Sequence, residues 1–355
     1  MERLRKALIK PSCTIKHALQ QMDAMGEKTL LIVDEHNRLL GTVTDGDIRR
    51  WILKGKNLRE NISDVMNCKP LSLKRDFDLE LAKKLMIKQG VDCLPVVDED
   101  KTIISAVWWV DLFENKPKRL MALKLPVVIM AGGEGSRLVP FTKILPKALM
   151  PIGETPIIEL IINRFLGYGC KDFYLSVNYK SNIIKAYFKD LEPEYRITYI
   201  QESKPLGTAG SLHLLEGRIQ KTFFLSNCDI LIDADYADIL KFHKQRKNKI
   251  TLVSSMKNFT IPYGVCEIEN GGILRNIWEK PEYDFLVNTG MYVLEAEVLN
   301  DIPKNQFYNI TDLIADYLKK EQNVAVYPVS EKSWLDMGQM YELQNTVSQL
   351  TKKGI

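Results

Sequence analysis

The sequence predicts an α/β protein in two parts, a tandem repeat followed by a larger domain with a mostly parallel mixed sheet. Three observations carry this reading: a gapless repeat at a constant offset of 64 residues, an apolar run that ends in a glycine-rich loop (Leu125 to Gly135), and later apolar segments that alternate with helical ones. A chain of 355 residues has room for two domains. The expected bounds are 1–118 for the repeat pair (copies about 1–56 and 57–118), 119–124 for a linker and 125–355 for the second domain.

The repeat runs from helix to loop. Ala18, Met22 and Gly26 recur as Ala82, Met86 and Gly90; Val33, Asp34 and Glu35 recur as Val97, Asp98 and Glu99; Asp47 recurs as Asp111. Each copy reads as a helix with apolar residues at three- and four-residue spacing, then a buried strand, a polar turn, a second strand and a second helix. A unit of this size, with two or three strands, cannot cover both faces of its own sheet, so the copies should pack into one pseudo-symmetric module.

The segment GTVTDGDIRR, Gly41 to Arg50, gives the module a likeness: over roughly residues 8–116 it resembles a CBS-domain pair. In that family the pattern Gly-h-h-Thr/Ser-x-x-Asp contacts the phosphate and ribose of an adenine nucleotide, and Thr44 and Asp47 fit it. In the second copy Ser105 replaces the glycine and Trp108 the threonine, which leaves Asp111 alone. A Thr-Asp-Gly-Asp turn between strand and helix also serves as a helix N-cap. The resemblance therefore implies an adenine or guanine nucleotide effector on the pair or, without a ligand, a dimerisation element. A homo-oligomer through the pair is expected.

Composition narrows the remaining classes. Apolar content of 45% and charged content of 26% are globular values, and the apolar runs fall far short of the roughly 20 residues that span a bilayer. No membrane association is expected. The basic start (Arg3, Arg5, Lys6) precedes no apolar stretch or small-residue cleavage site, which points to a cytoplasmic protein. The six cysteines are scattered, with no CxxC pair and no histidine at ligand spacing, so neither a zinc site nor a disulfide framework is expected. The net charge of +4 is spread out; its local excess at Lys116, Lys118, Arg119 and Lys124 reads as a solvated linker, and nucleic acid is not an expected partner.

The second domain opens on Leu125 to Ala131, an apolar strand candidate, followed by Phe173 to Val177, Ile197 to Ile200, Phe223 to Leu225 and Thr251 to Ser254. After the first of these, Gly132, Gly133 and Gly135 let the backbone turn sharply and bring its N–H groups to a polyphosphate. Arg137 and Lys147 add positive charge. A dinucleotide fingerprint would need glycine where Leu138 stands, and a Walker A loop would need Gly-Lys-Ser/Thr, which is absent.

The stretch from Leu125 to Gly153 instead resembles the signature G-G-x-G-T/S-R-L-x-P-x-T-x-x-x-P-K of the sugar-1-phosphate nucleotidyltransferases, with Ser136 as the allowed variant, and the resemblance extends over about 124–340. It implies a Rossmann-like nucleotidyltransferase domain in which Ala131, Gly132, Gly133, Gly135 and Ser136 bind the nucleotide and Arg137 and Lys147 act in catalysis. Leu206 to Gly210 (LGTAG) resembles the base-binding loop, with Gly207, Thr208 and, five residues before Gly207, Glu202. A carboxylate there could accept both N1–H and N2–H of guanine, where uracil and thymine offer one N3–H, and this favours GTP. Asp229, at the end of an apolar strand, and Asp336, in WLDMG, resemble the family's metal-binding residues, and two carboxylates at one phosphate cluster suit Mg²⁺. Gly264, Glu279, Lys280, Asn288 and Thr289 fall in segments that resemble the three sugar-binding segments, in the family's order.

The implied reaction joins a nucleoside triphosphate and a sugar-1-phosphate, and the four histidines (His17, His36, His213, His243) fall outside every motif. A helical stretch, Tyr341 to Leu350, follows Asp336, and no hexapeptide repeat suggests a fused acetyltransferase. A CBS pair joined to such a domain looks like the guanylyltransferases of bacterial nonulosonic (legionaminic) acid pathways, which act on glucosamine-1-phosphate. The order of expectation is glucosamine-1-phosphate, then mannose-1-phosphate, then other hexose-1-phosphates. The alternative of another class is a nucleotide-sensing binding protein that has lost transferase activity.

Overall fold

The computed structural model describes residues 2–113 and 122–338. It divides into two units, 1–119 and 120–355. Positions 119–121 of the expected linker and the expected helix Tyr341 to Leu350 lie outside the described residues. Leu123 already belongs to the second unit, its amide donating to the Tyr168 carbonyl at 2.8 Å.

In the first unit one copy comprises α1 (Glu2–Ala7), β1 (Leu8–Ile9), α2 (Ile15–Met25), β2 (Thr29–Val33), β3 (Leu39–Thr44) and α3 (Asp45–Ile52). The other comprises β4 (Leu73–Lys74), α4 (Leu79–Gln89), β5 (Cys93–Val97), β6 (Ile103–Trp108) and α5 (Trp109–Leu112). Each makes a three-stranded sheet, β1-β2-β3 and β4-β5-β6, whose first pair is parallel and second antiparallel. The same chemistry sets the helix ends in both. Thr14 and Asp78 cap α2 and α4, each accepting a hydrogen bond from a first-turn amide, and Gly26 and Gly90 end them at φ 71° and 67°. Even the irregularity repeats: the ladder slips between Ile32 and Val33, and again between Val96 and Val97.

Two mutually symmetric hydrogen bonds join the copies. Leu39 N–H donates to Lys101 O at 2.8 Å, and Ile103 N–H donates to Asn37 O at 3.0 Å. Leu31, Cys93 and Trp108 share one buried cluster, and Arg3 links both halves by pairing with Glu27 and Asp111. The expected packing of copy on copy is what forms.

The second unit continues with β7 (Val127–Met130), the short pair β8 (Pro151–Ile152) and β9 (Thr155–Pro156), α6 (Ile157–Gly167), β10 (Asp172–Val177), α7 (Ser181–Leu191) and β11 (Arg196–Gln201). Then come α8 (Gly207–Gly210), β12 (Phe223–Asn227), β13 (Ile230–Ile232), α9 (Tyr236–Gln245), β14 (Ile250–Thr260), β15 (Val265–Ile268) and β16 (Leu274–Trp278). The last elements are β17 (Glu282–Leu294), α10 (Ile310–Lys319), β18 (Val324–Val329) and β19 (Trp334–Asp336).

Seven strands form one sheet in the order β11-β10-β7-β12-β17-β14-β18, in which β17 alone runs antiparallel to its neighbours. This is the mostly parallel mixed sheet that the sequence predicts. Alternation along β7 splits the core: Val127 and Ile129 face a cluster with α6, α7 and α9, whereas Val128 faces one with α10. β14 runs past the predicted Ser254 to Thr260, and there it and β17 leave the sheet as a two-stranded ribbon, with β15 and β16 hairpinned between them.

A polar cluster crosses this core. The fully buried His243 contacts Thr251 Oγ1 through Nδ1 at 2.8 Å and Glu295 Oε1 through Nε2 at 3.1 Å. Burial lowers its pKa from the usual value. The unfolded imidazole therefore takes up its proton near pH 6.5 and the folded one at lower pH, so in that window the unfolded chain binds more protons and acidification costs stability. Urea midpoints measured from pH 7.5 to 5.5 should fall with pH, and His243→Asn should flatten that slope while lowering the midpoint at pH 7.5.

Candidate active site

β11, β10, β7 and β12 run parallel and end on one edge of the sheet. In an open α/β sheet ligands bind outside these carboxyl ends, where the connecting segments diverge. The segments leaving β7, β11 and β12 carry the glycine-rich loop, Glu202 and Asp229 respectively.

Ala131 prolongs the β7 pairing by one hydrogen bond, its amide donating to Ser176 O at 2.8 Å. At Gly132 a Cβ would stand 2.8 Å from Glu202 Oε1, so only glycine lets the loop pass beside this carboxylate. Gly135 has φ 67°, and a Cβ there would meet Thr142 Cγ2 at 2.8 Å and Lys147 Cβ at 3.0 Å. Ser136 and Arg137 are exposed on a single turn anchored by the buried Leu138. Arg137 makes no ion pair with the described residues.

Lys147 and Asp229, 82 residues apart, form an ion pair with both side chains mostly buried. Asp229 is held by the β13–β19 pairing, in which Ile230 lies opposite Asp336 and the Met337 amide donates to Asp229 O at 2.8 Å. Gly338 closes the arrangement: a Cβ there would sit 2.5 Å from Asp229 Oδ2, 2.9 Å from Asp336 Oδ1 and 3.3 Å from Lys147 Nζ. Two carboxylates and an ammonium thus face one small space that a side chain would fill. Among the described residues no group of three or more metal-type side chains forms a cage. A pair of carboxylates suits a hard cation that completes its shell with water and phosphate oxygens. Cys228, beside Asp229, is no nucleophile at neutral pH, since burial, with the neighbouring carboxylate, pushes its thiol up to about 12.

Glu202 is 6% exposed. Its Oε1 accepts from Ser176 Oγ at 2.6 Å and its Oε2 from the Leu206 amide at 3.2 Å. Asn178 Nδ2 donates to its backbone carbonyl at 2.9 Å. Sequence reasoning passed over Ser176 and Asn178; the available signal was two polar residues in and just after the otherwise apolar strand LSVN.

The LGTAG segment packs on the chain before α10, with the Ala209 and Gly210 amides both donating to Tyr308 O. Gly207 sits tightly there, since a Cβ would lie 2.7 Å from Tyr308 O. The Thr208 hydroxyl accepts from the Ile310 amide at 3.0 Å and so serves the first turn of α10, with its own proton left to donate.

Gly264 and Glu279 meet at the base of the β15–β16 hairpin, a Gly264 Cβ standing 3.2 Å from Glu279 Oε2. Lys280 follows, exposed, with φ 45°. Asn288 is exposed and donates to Tyr292 Oη at 2.7 Å. Thr289 is buried, and its hydroxyl donates to Val253 O at 2.7 Å, where the β14–β17 ladder slips.

Thr44 and Asp47 of the first unit are likewise engaged with each other. Thr44 caps α3 by accepting from Asp47 N–H, and the Asp47 carboxylate accepts from Thr44 N–H at 2.8 Å, a capping box; Arg50 pairs with the same carboxylate. In the second copy Asp111 pairs with Arg3.

Comparison with known proteins agrees with this architecture. Residues 6–54 and 62–107 match the CBS domain model. The mannose-1-phosphate guanyltransferase of Saccharomyces cerevisiae is 32% identical over 222 residues, covering 60% of this chain and 61% of that protein. That of Aspergillus fumigatus is 34% identical over 188 residues, covering 50% and 51%. The chain thus spans about six tenths or less of the length of these relatives. The crystal structure of HddC from Yersinia pseudotuberculosis complexed with GMP-PN superposes with a TM-score of 0.50 at 22% identity, over 64% of this chain and 99% of that one, a likeness of fold. Since the model of the nucleotidyl transferase family matches residues 126–353, well over half the chain, the protein belongs to that family and carries a pair of CBS domains in front.

Proposed function

We propose that the protein transfers a nucleotidyl group from GTP to a sugar-1-phosphate, releasing pyrophosphate. The observation that carries this is the convergence of Lys147, Asp229 and Asp336 on the space at Gly338, on the same sheet edge as the glycine-rich loop and Glu202. A phosphate oxygen of the sugar-1-phosphate attacks the α-phosphorus in line, forming the new P–O bond as pyrophosphate leaves. With a second phosphate pKa near 6 the nucleophile is already ionised at neutral pH, and no general base is required. The two buried histidines have structural partners, His213 at Gly210 O and His243 in the core cluster.

Catalysis then rests on positioning and charge. Loop amides from Gly132 to Ser136 bind phosphates, Arg137 is free to swing onto them, and Lys147 neutralises charge beside Asp229. Asp229 and Asp336 would hold Mg²⁺, which when bound neutralises phosphate oxygens as a Lewis acid. Glu202 reads the base. A carboxylate has about four acceptor positions; Ser176 and Leu206 take one on each oxygen, leaving one on each for the N1–H and N2–H of guanine.

For the sugar we propose glucosamine-1-phosphate, supported by the likeness of the domain order to the CBS-fused guanylyltransferases. Mannose-1-phosphate is the second reading, favoured by the names of the relatives. Gly264, Glu279, Lys280, Asn288 and Thr289 are the proposed sugar-phosphate contacts. The CBS pair is proposed to bind an adenine or guanine nucleotide effector at Thr44 and Asp47 and to join chains into a homo-oligomer, in the cytoplasm. No described helix is long and apolar enough to cross a membrane.

Purified protein with Mg²⁺ and GTP should release pyrophosphate with one of the two sugar phosphates, and EDTA should abolish it; silence with all five common triphosphates would leave the nucleotide-sensing protein as the better reading. Arg137→Ala should lower kcat by about a hundredfold or more, going by comparable electrostatic groups, and near-normal turnover would remove Arg137 from the mechanism. In Gly338→Ala the added methyl enters the space between the carboxylates, so the Mg²⁺ concentration for half-maximal rate should rise at least about tenfold.

A further inference from the structure

We infer that Ser176 is a positioning residue that sets selectivity for guanine by fixing the plane of the Glu202 carboxylate. The inference rests on the reading of Glu202 as the base-recognising group. Ser176 and Ser211 are each 1% exposed, and Glu202 6%. Hydroxyls at such depth cost free energy unless hydrogen-bonded, and β10 otherwise points Leu175 and Val177 into an apolar core.

The hydrogen bonds form a directed chain. Ser176 has one proton, and it goes to Glu202 Oε1 at 2.6 Å. The bond between Ser176 Oγ and Ser211 Oγ, 2.9 Å long, then takes its proton from Ser211. Leu206 N–H holds the other oxygen at 3.2 Å. With each oxygen anchored, the carboxylate cannot turn about its own axis. Its two unused acceptor positions therefore stay paired, as two adjacent donors on one base edge require. Gly132 passes against the same Oε1, so this carboxylate also lies directly beside the nucleotide loop.

Without the Ser176 hydroxyl, only Leu206 N–H would hold the carboxylate, leaving it free to rotate and meet a base through a single oxygen. Discrimination by two donors against one should weaken, whereas chemistry at the α-phosphorus should not.

The test compares GTP with inosine triphosphate, which keeps N1–H and lacks the 2-amino group. Wild type should favour GTP in kcat/KM. In Ser176→Ala this preference should shrink by about tenfold, the worth of a hydrogen bond to a charged group. The change should appear as a higher KM for GTP, with kcat within about twofold. Ser211→Ala keeps the direct Ser176 bond and should lose less of the preference; it serves as the second variant if Ser176→Ala does not fold. An unchanged preference in a folded Ser176→Ala, or an equal loss for both triphosphates, would overturn the inference and leave Glu202 as the base reader. A wild type that uses another triphosphate in preference to GTP would overturn the base reading, and this inference with it.

Discussion

The Lys147–Asp229 ion pair is the constraint on which the candidate site depends. It ties the segment that follows the glycine-rich loop to the end of β12, and both partners are largely removed from water. A pair at that depth is a poor source of stability, since desolvating two charges offsets much of their attraction, while losing one partner strands the other. Its consequences are local and geometric. The Lys147 side chain crosses Gly135, which must then lack a Cβ; Asp229 must be braced from behind, which the β13–β19 pairing does; and Gly338 must leave room where the three charges meet.

The same edge of the sheet separates two tasks. At one end, under β7 and β12, charges stand ready for phosphates. At the other, beside β10 and β11, stands the buried carboxylate with its hydroxyl relay that we propose reads the base. The glycine-rich loop spans the two, its first glycine against Glu202 and its third against Lys147. One short loop therefore fixes the position of Glu202 against that of Lys147, without a long side chain whose rotamers would blur it.

Much of this was legible in the residues, for reasons that differ by element. The repeat was readable to the residue because α2, β2 and β3 recur as α4, β5 and β6 at the same offset of 64, and a gapless offset leaves no room for slippage. The strand at Leu125 to Ala131 was placed because a continuous apolar run bounded by glycines is what a central parallel strand requires; it proved shorter at each end, Val127–Met130. The ribbon from Met256 to Leu286 escaped notice. Its Phe259, Tyr283 and Phe285 are more than a third exposed, and a strand with no buried face carries no alternation to read. The backbone partners of Thr208 and Thr289 were not legible for a related reason: a hydroxyl in a turn motif looks alike whatever it faces, and Ile310 N and Val253 O lie 102 and 36 residues away. Ser176 was hidden for the opposite reason. A small polar residue on a buried strand is unremarked until its neighbours across the sheet are known.

The paired hydrogen bonds at Asn37–Leu39 and Lys101–Ile103 bear on how the N-terminal unit can change over evolutionary time. They are made by backbone groups, so this part of the join is indifferent to which side chains occupy either half, unlike the Leu31–Cys93–Trp108 cluster and the Arg3 pairs. Divergence in one half is therefore cheap for the fold. Where the first half has Thr44 the second has Trp108, yet the second has the same bulge, helix-ending glycine and ladder register. A repeat built in this way can let one copy take on a structural duty while the other keeps a different one, with the asymmetry falling in side chains that the shared backbone scaffold does not specify.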